Sequence, residues 1–518
     1  MVDDAIRHVV IVGGGTAGWM TAAALANFLN PELTRITLIE SEQIGTVGVG
    51  EATLPHIRYF NQTLGIDESE FLRATNATYK LGIEFSNWGK LGDAYIHPFG
   101  DYGLPIANVP FHQFWGALRN NGEMVGSISD FSLPVVAANA GKFDFPASDE
   151  QSILATYGYA FHLDASRYAQ FLREYAEARG VARIEGKIEN IVTAPSGEIV
   201  KLELGNSQPI EAELFIDCSG FRSLLLGDKL QVPFNDWSEW LRCDRAVALP
   251  CVGDEKPLPF TRAIAHEFGW QWRIPLQHRI GNGMVYCSDF VSDDEALARL
   301  QVHLDGEPLA EPNFIGFKAG HRARSWEKNC VAVGLSAGFL EPLESTSIYL
   351  IQVAITKLLE LFPRPDLAAS LRDEYNAQMS LAFERVRDFL ILHYHATQRN
   401  DSDFWNYCRT MPVPDELAHK MSLFKKRGYV VQYDDGVFLE PSWVAVYMGQ
   451  NIVPTSVDPR VENFNLSDVA MQMRALRERI SSAVAAMPTH GDTLHKQANL
   501  EKGTFPKATF NLYGRSNT

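Results

Sequence analysis

Apolar positions along the chain fall into short buried runs, alternating stretches and long helical faces. Residues 7–12 (Arg-His-Val-Val-Ile-Val) form a β-branched run of the kind a parallel strand buries on both faces. A helix-prone segment from Trp19 to Leu29 follows, and Ile36 to Ile39 predicts a second strand ending at Glu40. Similar runs return at Phe215 to Asp217 and from Val331, leading into Gly220 and into Gly334 and Gly338. Ile184 to Val192 and Glu198 to Leu204 read as a β-hairpin or meander beside them. Leu81, Ile83 and Phe85 alternate, which predicts one half-buried strand with Lys80, Gly82 and Glu84 on its other face. Further strands fall between residues 236 and 300, among them Gly269 to Leu276 (Gly-Trp-Gln-Trp-Arg-Ile-Pro-Leu). Helices are expected from Ser166 to Arg179, from Ile348 to Phe362 and over the amphipathic stretch 365–398. The second is apolar on most faces and therefore buried. The tail from Pro488 is polar and reads as loosely ordered. The class is α/β (α+β), with a mostly helical C-terminal part.

The first strand, turn and helix carry a nucleotide signal. Gly13, Gly15 and Gly18 complete G-x-G-x-x-G, with Thr16 and Ala17 at the helix start. Glu40 closes the next strand roughly 20 residues on, where an acid meets a ribose hydroxyl. Missing side chains let the backbone approach a pyrophosphate, whose charge the helix N-terminus attracts. Asp217, in Asp-x-x-Gly, and the Gly334-Leu335 turn bring distant segments back to this site. That return favours FAD over NAD, and a second complete glycine motif is missing from the sequence, so a tightly held NAD(P) site is not expected.

Other stretches carry chemistry that their residues alone leave open. Trp270 and Trp272 lie two apart on an extended segment stiffened by Pro275 after Ile274, so both rings face one side. They are either an aromatic pair packing a sheet or two walls of a site. The loop Gly45 to Thr53, with Gly48, Val49, Gly50, Glu51 and Ala52, is a flexible connection or a strap. Lys80 is a solvated charge or a catalytic amine, and His97 with Phe99 is a packed corner or an arene platform. Glu344 precedes the buried helix: it is a capping acid, or a carboxylate beside an anion site at Ser345, Thr346 and Ser347.

Composition narrows the classes. In 518 residues, 46% are hydrophobic and 21% charged, enough to bury a large core. Acidic groups outnumber basic ones 63 to 46, a net charge of −17 that repels nucleic acid and anionic membranes. The run Lys425-Lys426-Arg427 is too short to reverse that. Six cysteines (218, 243, 251, 287, 330, 408) lack any C-x-x-C, which argues for a reducing compartment and against a metal site. The opening residues do not read as a signal peptide, and runs long enough for a membrane helix are missing. A cytoplasmic enzyme is expected.

Five strings together change the picture: G-V-G-E-A-T at 48–53, Y-K-L-G-I-E-F at 79–85, H-P-F at 97–99, W-Q-W-R-I-P at 270–275 and E-P-L-E-S-T at 341–346. They resemble the motifs of the flavin-dependent halogenases of the tryptophan halogenase family, over roughly residues 7–460. The resemblance implies the two-domain FAD-binding fold of the aromatic hydroxylases, with an antiparallel substrate sheet. Residues 1–360 would form the FAD module with that sheet interleaved, and 361–518 a helical region completing the pocket. It further implies that a separate NADH-dependent flavin reductase supplies reduced FAD, which with O₂ and a halide yields hypohalous acid. Trp270 and Trp272, with Ile274 and Pro275, would line the tunnel that leads it to Lys80. Glu344 would then stabilise the cationic intermediate and take its proton, with His97 and Phe99 sandwiching the substrate. Residues 345–347 would bind the chloride or bromide, Ser347 standing where the family commonly has glycine. The strap 48–52 would lie over the flavin ring.

The resemblance fails in one place. Between Phe424 and Ser442 the paired tyrosine and the Phe-Trp that clamp free tryptophan are missing; Tyr429, Tyr433 and Asp434-Asp435 stand there instead. The implied substrate is therefore indole, an indole derivative, or an indole displayed on something larger. The histidines and tyrosines near 393–395 read as packing. An FAD-dependent aromatic monooxygenase of the same fold is the rival reading, and a non-catalytic flavin-binding protein a second. The protein is expected to be a monomer or homodimer.

Overall fold

The glycine-led strand His8–Val12 sits in the middle of a six-stranded sheet. Its order is Trp326–Glu327, Cys330–Ala332, Leu214–Asp217, His8–Val12, Arg35–Glu40, Ala182–Glu185, parallel except for the first pair. The computed structural model describes residues 5–42, 50–205, 208–253, 256–433, 436–509 and 512–513. Distant segments converge because the apolar runs at the centre of the sheet are buried on both faces and pair with one another. The helix Thr16–Phe28 packs back onto the sheet. Gly18 permits the close approach, since a Cβ there would stand 1.8 Å from the Gly13 carbonyl. Asn190–Thr193, Ile199–Glu203 and Ile210–Glu211 form the expected meander at the side.

A seven-stranded sheet stands against this module. Its order is Asn313–Gly316, Arg245–Ala248, Ile280–Tyr286, Gly269–Pro275, Thr261–His266, Gly82–Ser86, Ala94–Pro98. It is antiparallel except where Thr261–His266 runs parallel to Gly82–Ser86. The strand of the two tryptophans therefore lies in the centre, and Trp272 pairs in register with Gly283. Its indole lies over that glycine: a Cβ at Gly283 would come within 2.0 Å of the ring.

The single strand expected across residues 79–85 is two strands. Thr78–Lys80 belongs to a small sheet with Ala160–Asp164 and Gly50–Ala52, whereas Gly82–Ser86 joins the large one. The chain changes sheets at Leu81, whose N–H donates to the Pro259 carbonyl and whose carbonyl accepts from Phe99 N–H. Lys80 consequently does not share a solvated face with Glu84; it is fully buried.

The C-terminal part is helical, through Thr346–Glu360, Ala369–His395, Asp403–Thr410, Asp415–Arg427, Glu440–Gly449, Leu466–Ala486 and His490–Ala498. The tail is not loose as its polarity suggested. Arg58 and Gln62 donate to the Pro506 carbonyl, Ala508 N–H donates back to Gln62, and Leu512 and Tyr513 are buried. Among the described residues all six cysteines are free and buried, and helices long and apolar enough to cross a membrane are absent.

Gly283→Ala is expected to force Trp272 aside and destabilise the protein by about 1–3 kcal/mol, the usual cost of overpacking a core. Urea unfolding of the variant beside its parent measures this.

Candidate active site

One cavity of about 550 Å³ runs from the glycine turn of the first sheet to the start of the helix Thr346–Glu360. At its first end the turn is shaped for a dinucleotide. Gly13 adopts φ +112°, a Cβ at Gly14 would collide with Glu40 Oε2, and one at Gly15 would project into open space. The helix behind has neither a side-chain cap nor an acid in its first turn, so its N–H groups and positive dipole end face the cavity at Thr16 and Ala17. Glu40 is held there by Trp19 Nε1 at 3.3 Å and by Arg183. Gly334 (φ +75°), Leu335, Glu51 and Ala52 line the same space, and burial pushes the Glu51 carboxyl up to about 7. These features fit FAD.

Two expected cofactor residues do other work. Asp217 is fully buried, and its carboxylate accepts from Ser219 N–H and Oγ–H and from the N–H groups of Leu225 and Leu226. It therefore folds its own loop, and Cys218 and Ser219 line the cavity in its place. Gly18 packs helix on strand. Gly50 begins the strand Gly50–Ala52, while Gly48, Val49 and the rest of 43–49 lie outside the described residues, as do Asp434 and Asp435.

Trp270, Trp272 and Ile274 line the middle of the cavity, the two indoles 6.4 Å apart at 63°. Pro275 does not; its carbonyl accepts from Thr78 Oγ1 at 2.7 Å, tying the tryptophan strand to the strand that carries Lys80.

At the far end the chain turns sharply before the buried helix. Glu341, Glu344 and Ser345 all adopt left-handed backbone angles (φ +79°, +54° and +58°), unusual for residues with side chains and the kind of strain that clusters at working sites. The cap residue Ser345 gives the helix no side-chain hydrogen bond. Nor does Glu344 cap it: the carboxylate accepts from His97 Nδ1 at 2.8 Å. His393 Nε2 lies 2.8 Å from its other oxygen, at an angle poor for a hydrogen bond. Burial works to raise the Glu344 carboxyl, but His97 and His393 outweigh it and hold it at about 2. Glu344, Ser345, Thr346 and Ser347 all line the cavity, and Thr346 Oγ1 is buried with no hydrogen-bond partner among the described residues. An orphaned hydroxyl beside open helix N–H groups suits a small anion.

Lys80 enters from the small sheet. Its Nζ donates to the Thr53 carbonyl at 3.0 Å and to Ser345 Oγ at 2.9 Å, and lies 5.1 Å from the Phe99 ring centre. Burial lowers its pKa to about 7, against the opposing charge of Glu344. The ammonium and carboxylate therefore meet at adjacent residues of one turn, each with its own partners.

Sequence reasoning gave His97 and Phe99 as a substrate sandwich. Here His97 is engaged with Glu344 and Phe99 faces Lys80. It also read His393 as packing, whereas the ring touches Glu344. Glu341 was overlooked: Tyr394 O–H donates to it at 2.9 Å, and burial pushes it up to about 8. Its place in E-P-L-E was visible; its burial was not.

Lys80 has a folded pKa near 7 and an unfolded one of about 10.4. Between those values the unfolded chain binds more protons, so stability rises with pH. Lys80→Met removes this dependence. Its melting temperature relative to the parent should therefore be most favourable at or below about pH 7 and decline toward pH 10, read by thermal unfolding across that range.

Comparison with known proteins agrees with this geometry. Residues 8–465 match the family model described as tryptophan halogenase. The 7-chloro-L-tryptophan 6-halogenase KtzR of a Kutzneria species is 35% identical, covering 95% of this chain and 100% of that one. BrvH, a flavin-dependent halogenase from a Brevundimonas species, has a solved structure that is 45% identical with a TM-score of 0.91, over 95% of this chain and 99% of its own. Xcc4156, a flavin-dependent halogenase from Xanthomonas campestris, is 43% identical with a TM-score of 0.92, over 97% and 100%. With the glycine turn, the double tryptophan strand and the buried lysine and glutamate in one fold, the chain belongs to the tryptophan halogenase family of flavin-dependent enzymes.

Proposed function

We propose that this enzyme halogenates indole or a simple indole derivative, using chloride or bromide and FAD reduced by a separate NADH-dependent reductase. The observation that carries the reading is the buried turn where Lys80 meets Ser345 beside Glu344, at the end of the cavity that begins at the glycine turn. Bound reduced FAD supplies, with O₂, the oxidising power that turns halide into hypohalous acid. The N–H groups at Thr346 and Ser347, with the Thr346 hydroxyl, hold the halide near the cofactor. Trp270 and Trp272 keep the arene away from the oxidant, and the route to it passes Lys80. With its pKa near 7, Lys80 has both the amine and the ammonium available, to capture the halogen or to donate a hydrogen bond to hypohalous acid. Glu344, held ionised by two imidazoles, stabilises the positive charge that grows on the ring and takes its proton.

The substrate class follows from the segment before Glu440–Gly449. Phe438 stacks on Phe389 at 4.0 Å and lies 5.9 Å from His97, an apolar lid over the glutamate's partner. Between Phe424 and Ser442 the sequence has neither the Tyr-Tyr pair nor the Phe-Trp with which the tryptophan halogenases clamp free tryptophan. Free tryptophan then forgoes charge-assisted hydrogen bonds worth about 1.5–3 kcal/mol each.

Lys80→Ala is expected to lose at least about a hundredfold in halogenated product, as removal of an acid–base group does, while FAD binding followed by fluorescence stays at the parent's level. Undiminished product would overturn the assignment. In competition, indole should be consumed before free tryptophan, and a wide preference for tryptophan would overturn the substrate reading.

A further inference from the structure

We infer that Ser442 and Tyr513 are positioning residues of this active site, a hydroxyl line that fixes the tautomer of His97 and thereby the readiness of Glu344. The inference rests on Glu344 as the proton acceptor. Tyr513 lies far along the chain from the other site residues, yet it is buried, and the tail leading to it is tied down at Pro506 and Ala508. Its phenol oxygen accepts from Leu439 N–H at 3.0 Å and stands 2.6 Å from Ser442 Oγ. Ser442 Oγ is 2.7 Å from His97 Nε2, and His97 Nδ1 is 2.8 Å from Glu344.

One direction of this line satisfies every donor and acceptor in it. In the proposed line the Tyr513 oxygen accepts from Leu439 N–H and its own hydrogen points to Ser442. Burial raises the phenol's pKa, so that hydrogen stays on. In that direction the Ser442 hydrogen points to Nε2, the bare nitrogen of the imidazole. The imidazole hydrogen sits on Nδ1 and points at Glu344, a bond that the carboxylate accepts more strongly than the protonated acid would. The line thus holds the glutamate unprotonated and aimed before any substrate arrives. Without the phenol hydroxyl, Ser442 is free to turn its hydrogen elsewhere and Nε2 can take the hydrogen instead. Nδ1 would then present a lone pair to the carboxylate, which favours a protonated and idle Glu344.

The test compares full-length parent, Tyr513→Phe, Ser442→Ala, Ser442→Thr, Ser442→Ala with Tyr513→Phe, and Glu344→Gln. Each is assayed on indole and bromide with reductase, and examined by ¹⁵N NMR of labelled histidine. Tyr513→Phe and Ser442→Ala should each lower kcat by about tenfold or more, the low end of what a misplaced acid–base group costs, with KM for indole within about twofold of the parent. The double variant should be no worse than either single one, as members of one line are not additive, and Ser442→Thr should restore most of the rate. His97 should read as the Nδ1–H tautomer in the parent and as a mixture in Tyr513→Phe. Parent-like kcat and an unchanged tautomer in both Tyr513→Phe and Ser442→Ala, while Glu344→Gln is inactive, would overturn this inference alone. A raised KM at unchanged kcat would likewise overturn it. A fully active Glu344→Gln would instead remove the reading of Glu344 on which it rests.

Discussion

A lysine and a glutamate taken out of water must each be satisfied, or one must give up its charge. That requirement governs the centre of this protein. Lys80 is met by a backbone carbonyl and the hydroxyl of Ser345, and Glu344 by two imidazoles. Because each has its own partners, neither neutralises the other, and the pair remains available to a substrate that develops charge. The left-handed turn through Glu344 and Ser345 is the backbone form of the same arrangement. It sends one side chain to the histidines and the next to the lysine, where an ordinary helix start would have used both as caps.

Each structural layer contributes one element of that centre. The first sheet supplies the glycine turn, and its strand Cys330–Ala332 leads through Gly334 to the turn before the buried helix. The seven-stranded sheet supplies the two tryptophans and His97. The small sheet supplies Lys80, and the Thr78 hydroxyl bonded to the Pro275 carbonyl fixes that strand against the tryptophan strand. The helix Ala369–His395 lays His393 against the other side of the glutamate, with Phe389 packed on that ring. The ionic turn therefore lies where all the layers meet, which is why water is kept from it.

Much of this could be read from the residues. The glycine turn was legible because strand, turn, helix and terminal acid each follow local rules, and the tryptophan strand because i and i+2 share a face. Lys80 and Glu344 were found through the strings around them; alone, a lysine in an alternating run reads as solvated. The change of sheets at Leu81 was invisible, since alternation continues through it and only Pro259, far off in sequence, reveals the switch. Asp217 misled for a related reason: an acid at a strand end beside a nucleotide turn is equally suited to binding its own loop. His393, Ser442 and Tyr513 reach the site from three places in the C-terminal half, with no local pattern to mark a ring or hydroxyl that will meet a carboxylate. The polar tail looked unbound because anchors such as the Pro506 carbonyl and the Ala508 N–H are backbone groups.

The central claim is that this architecture separates the place where the oxidant forms from the place where the ring is attacked. Turnover of indole under ¹⁸O₂ with bromide, reductase and FAD, followed by mass spectrometry of the product, tests it most directly. The account predicts bromoindole with no ¹⁸O on the ring. A hydroxylated indole carrying ¹⁸O as the main product would contradict it.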